Sequence, residues 1–91
     1  MDIIYYLGNI LANRINISPT ASRGLIKLSI KDELGPFIKF ELVKFEDLKN
    51  AINNSLRIRL TRLNVQGLGD IIGILLKELT DNQSLITMAN V

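Results

Sequence analysis

LIKLSIKDELGPFIKFELV, residues 25–43, admits two readings, and the fold class turns on them. Ile26, Leu28 and Ile30 alternate with Lys27, Ser29 and Lys31, the pattern of a half-buried strand. Ile38, Phe40 and Leu42 alternate with Lys39 and Glu41 in the same way. Two such strands would make a β-hairpin around residues 31–36, in an α+β domain. The boundaries point the other way. Ser18-Pro19 is a helix start, with an N-cap oxygen followed by proline at the first helical position, and Gly35-Pro36 is a stop. A helix over 19–34 is the chosen reading, although Gly24 costs about 1 kcal/mol against alanine. Residues 37–43 then become an extended connector lying across the helices.

Downstream of this stretch the periodicity is clearer. In FEDLKNAINNSLRIRLTRL, residues 45–63, Phe45, Leu48, Ile52, Leu56, Leu60 and Leu63 recur at three- and four-residue spacing. That is one stripe of an amphipathic helix. Glu46 and Asp47 in the first turn and Arg59 and Arg62 near the end match the helix dipole. Asn64 to Gly69 is a turn, Asp70 a cap, and Ile71 to about Thr80 a further helix with a wide apolar face. Upstream, Ile3, Ile4, Leu7, Ile10 and Leu11 share one face of a helix ending near Arg14. In the tail, Leu85, Ile86 and Met88 are placed to dock as a last turn or an edge strand. The expectation is a mainly α, compact four-helix single domain over residues 1–91 with an extended connector. The alternative is α+β with a hairpin at 25–43.

Composition excludes more than it assigns. The chain has no Cys, His or Trp. Disulfides, zinc fingers, thiol nucleophiles and the commonest general base are therefore absent from this sequence. None of its serines lies in G-x-S-x-G. Gly67-Leu68-Gly69 with Gly73 has too little chain after it for a βαβ nucleotide unit. The pairs Asp32–Glu33 and Glu46–Asp47 read as helix-end electrostatics rather than metal ligands. The expectation is a chain without enzymatic activity, cofactor or metal. The first helix is too short and polar to span a membrane, and its start lacks the basic region of a signal peptide. A cytoplasmic setting is the expectation.

Formal charge is +2, unevenly placed. Arg14, Arg23, Lys27 and Lys31 fall in a stretch from Ile3 to Lys31 without an acid; Lys49, Arg57, Arg59 and Arg62 fall in another from Leu48 to Gly69. Arg59 and Arg62 lie on one flank of the apolar stripe and Arg57 on the other. Arg23, Lys27 and Lys31 recur at four-residue spacing. These six cations are the candidate partner-binding residues. Tyr5 and Tyr6 read as standing apart from the arginines, and Phe37, Phe40 and Phe45 as core. With 47% hydrophobic residues in a small chain, some apolar surface is expected to remain for a protein partner or another copy. The expected function is a non-catalytic accessory or adaptor subunit of a larger intracellular complex. It would dock through apolar helix surface and a basic flank. Replacing Arg57, Arg59 and Arg62 by Glu is expected to spare the fold and impair binding. The alternative is a DNA- or RNA-binding accessory protein. In general look the chain resembles small accessory subunits of archaeal replication or transcription machines, without a motif that carries the likeness.

Overall fold

At Ser18 the boundary signals prevail. The structure, a computed structural model, describes residues 2–89, with side-chain detail for residues 3–86. The Ser18 hydroxyl accepts a hydrogen bond from the Ala21 amide at 3.1 Å, and Pro19 opens the helix. At the far end Gly35 adopts φ 102°, ψ 159°, a conformation essentially reserved for glycine. Its N–H closes the last turn on the Lys31 carbonyl at 2.8 Å. Between these caps runs α2, Pro19–Leu34, preceded by α1, Asp2–Ile15.

No strand is present among the described residues, so the hairpin alternative at 25–43 is not adopted. The alternation misleads because α2 buries Ser22, Ile26, Ser29 and Ile30, a helical face half made of serine. Leu28, which a strand would bury with Ile26 and Ile30, is 45% exposed. Ser29 donates to the Leu25 carbonyl at 2.8 Å, so its hydroxyl is satisfied inside the helix. The Ser22 hydroxyl is buried without a hydrogen-bond partner among the described residues. The connector is not extended throughout either. It contains a single 3-10 turn, Phe40–Leu42, between extended residues Lys39 and Val43, and Val43 is fully buried.

Residues 45–62 form one continuous helix, α3, which begins where Asp47 accepts the Lys44 N–H at 3.1 Å. Its middle, Ala51–Leu56, is wound as a π-helix between the α-helical segments Phe45–Asn50 and Arg57–Arg62. The reason lies in the spacing of its buried residues. Leu48, Ile52, Leu56 and Leu60 are each four apart. In a regular α-helix each such step drifts about 40°, so three steps drift about 120°. A π turn takes up about one extra residue, or roughly 100° of that drift, and keeps all four side chains on the core. Leu63, expected at the end of this stripe, is instead 58% exposed. It caps the helix as Asn64 turns left-handed (φ 57°), and the Val65 N–H returns to the Leu60 carbonyl at 3.2 Å. Asn16 ends α1 the same way, with Ile17 N–H on the Ala12 carbonyl at 3.2 Å.

The last long helix, α4, spans Leu68–Asp81, starting a little before the expected Ile71; Asp70 sits in its first turn rather than at its cap. The tail forms a short helix, α5, Gln83–Ala89, not an edge strand, and buries Ile86. The Met88 side chain lies outside the described residues. The main packings join α1 to α2, α2 to α3, α3 to α4 and α4 back to α1, with α5 on α1. One connected apolar core runs through this ring, and Val43 enters it from the connector. The chain is mainly α, as the boundary signals imply.

Candidate interaction surface

Where α1 meets α2, Gly8 is buried, and a Cβ there would come within 2.6 Å of the Arg23 Cγ. This close approach lays the Arg23 side chain across α1. Its guanidinium carbon sits 4.5 Å from the centre of the Tyr5 ring, and Nη2 donates to the Thr20 hydroxyl at 3.2 Å. Tyr5 therefore does not stand apart from the arginines.

One turn further along α2 the connector comes back against the helix. Lys27 Nζ lies 5.7 Å and Lys31 Nζ 5.9 Å from the centre of the Phe40 ring. Phe40 is half-buried, with its ring reserved for these two ammonium groups as well as for the core. Arg23, Lys27 and Lys31 thus form one strip with two aromatic rings. None of the three has a carboxylate partner among the described residues.

The α3 arginines are used differently. Arg59 grips Asp32 of α2 with two hydrogen bonds, Nε to Oδ2 at 2.7 Å and Nη2 to Oδ1 at 3.0 Å. Those bonds hold the Asp32 carboxyl below its ordinary pKa, and they raise that of Arg59. The positive charge of Arg62 adds a smaller lowering. Beside the pair, the Ser55 hydroxyl donates to Glu33 Oε1 at 2.7 Å. Asp32, Ser55, Ile58, Arg59 and Arg62 line a shallow cleft there. Arg57 turns back on its own helix. Its Nε donates to the Asn53 carbonyl and its Nη2 to Asn53 Oδ1, both at 3.0 Å. The Arg57 amide bonds to the Asn54 carbonyl, so the side chain serves an acceptor at the exit from the π segment.

The six candidate cations therefore do not act alike. Arg23, Lys27 and Lys31 are brought together; Arg59 and Arg62 meet Asp32; Arg57 stands alone. Helical geometry sets Asp32 about 100° around α2 from Lys31 and about 140° from Lys27. The two groups consequently occupy different flanks. A Glu at position 59 would face Asp32, so the triple arginine variant would disturb helix packing as well as any binding surface. Arg62→Glu is the cleaner probe of that flank.

Among the described residues, the two most exposed large apolar side chains lie on the connector, while Ile58 and Leu63 at the end of α3 are also more than half exposed. Phe37, expected in the core, is 95% exposed, and Leu42 is 64% exposed. Leu42 could not be read from the sequence as surface, because the 3-10 turn over Phe40–Leu42 that redirects it has no periodic signal. Across the molecule, Tyr6 donates to Glu78 at 2.6 Å, tying α1 to α4, and this bond raises the Tyr6 pKa. Among the described residues, no three acids converge as metal ligands, and no helix is long and apolar enough to cross a membrane. No protein-family model, curated protein or solved structure matches the chain.

Proposed function

We propose that this protein is a non-catalytic accessory or adaptor subunit of an intracellular complex, docking through the connector between α2 and α3. The observation that carries the reading is Phe37, a large aromatic side chain almost wholly in solvent, on the same connector as exposed Leu42. Burying a Phe or Leu side chain is worth about 1.5–3 kcal/mol each, and aromatic anchors of this kind dominate protein interfaces. The connector is tied on both sides of these residues: the Ile38 N–H returns to the Gly35 carbonyl at 3.4 Å, Phe40 is held between core and lysines, and Val43 is fully buried. A presented side chain on a fixed backbone loses little entropy on binding. The sequence has neither His nor Cys, which supports a role without covalent or acid–base chemistry.

The test is isolation of the native complex with wild-type protein and with a Phe37→Ser/Leu42→Ser variant. Both changes are on exposed side chains and are expected to leave the melting temperature within a few degrees of wild type. The variant should lose the partners that the wild-type chain retains. An unchanged set of partners at unchanged stoichiometry would refute docking through the connector.

A further inference from the structure

We infer that the strip formed by Arg23, Lys27 and Lys31 with Tyr5 and Phe40 is a binding site for single-stranded nucleic acid. The site adjoins the Phe37–Leu42 anchor through Phe40, on the same connector, and its test reads nucleic-acid binding directly rather than partner capture.

Three observations carry the assignment. The cations are at four-residue spacing on one helix, so their attachment points advance about 6 Å each. That interval is close to the separation of successive phosphates on a stretched single strand. Second, these charges are uncompensated, whereas Arg59 and Lys77 are each paired to an aspartate. Third, each cation is held over an aromatic ring rather than swinging free. The Arg23 guanidinium is oriented by both Tyr5 and Thr20, and a guanidinium plane held in this way is a surface on which bases stack. Tyr5 is 51% exposed, so its ring is also within reach of a base. Cationic tracks interleaved with stacking surfaces are how proteins hold single strands without reading sequence.

The same geometry disfavours duplex. A second strand would need its own line of cations on the far flank of α2. That flank carries Asp32, already joined to Arg59, and nearby Glu33 bonds Ser55.

The experiment is fluorescence anisotropy with labelled oligothymidine and a duplex of equal length, across a salt series. Three phosphate contacts predict a slope of about −2 in log K against log salt for the single strand. Lys27→Gln/Lys31→Gln should reduce the magnitude of that slope by about 1.4 and weaken low-salt binding by about tenfold. Tyr5→Ala should weaken binding without changing the slope, which a purely electrostatic attraction would not show. Circular dichroism of each variant is the accompanying check that it is folded. Absence of single-strand binding at low salt, tighter binding of duplex, or unchanged binding by the double lysine variant would each overturn the assignment. So would a Tyr5→Ala variant that binds as wild type.

Discussion

Gly8 and Asp32 illustrate how single residues set the surface of this protein. The missing side chain of Gly8 is what lets the Arg23 stem cross α1 and rest on Tyr5. Alanine there gains up to about 1 kcal/mol of helix propensity but drives its methyl into Arg23, and overpacking typically costs about 1–3 kcal/mol. Gly8→Ala is therefore expected to lower stability by about 1 kcal/mol in urea unfolding, and to change tyrosine fluorescence as Arg23 leaves the Tyr5 ring. A variant at least as stable as wild type would mean that the α1–α2 contact yields easily. Asp32 makes a pH-dependent contribution. Its pKa is lowered in the folded state, so its stabilising effect is present above the unfolded value near 3.8. The effect is lost as pH falls through the lower folded value. The pair is partly exposed and the effect is modest. Asp32→Asn should be less stable than wild type at neutral pH, and the two unfolding curves should converge in acid. A difference that persists into strong acid would place its origin elsewhere.

At the scale of elements, α3 shows how a helix adapts its winding to its own apolar pattern. Strict four-residue spacing from Leu48 to Leu60 is one residue too long for a straight α-helical stripe, and the π segment absorbs the excess. Deleting exposed Asn54 should convert the segment to ordinary α-helix with spacing 4-3-4 and leave a cooperative fold. Deleting exposed Gly73 in α4 should not: it rotates everything after it by about 100° and separates Leu75 and Leu79 from Ile71 and Ile72. Thermal unfolding followed by circular dichroism distinguishes the two. Equal damage from both deletions would show that the π winding does not relieve the stripe. The helix boundaries of α2 were legible because capping is local: the Ser18 hydroxyl, Pro19 and Gly35 act within a turn. Its buried face was not, because two serines take core positions while Leu28 faces solvent, so hydrophobicity alone points the helix the wrong way.

For the whole molecule, the decisive feature is that the connector is pinned rather than loose. Val43 inserts into the core and Phe40 rests between core and lysines, while Phe37 and Leu42 are left outward. The proposed docking anchor and the proposed single-strand site therefore share α2 and the connector as a frame. This arrangement suits a small adaptor that links a protein partner to a nucleic acid. The sequence by itself favoured the helical class over a hairpin at 25–43 and placed the four long helices to within a few residues. Caps, glycine stops and apolar spacing are interactions between residues a turn or two apart, which chain order specifies directly. Only the tertiary structure decided which cations are available. Arg59 is neutralised by a carboxylate 27 positions away, and Arg23 is seated on a ring from another helix. Such pairings depend on distances across the packed helices, and no local pattern in the chain encodes them.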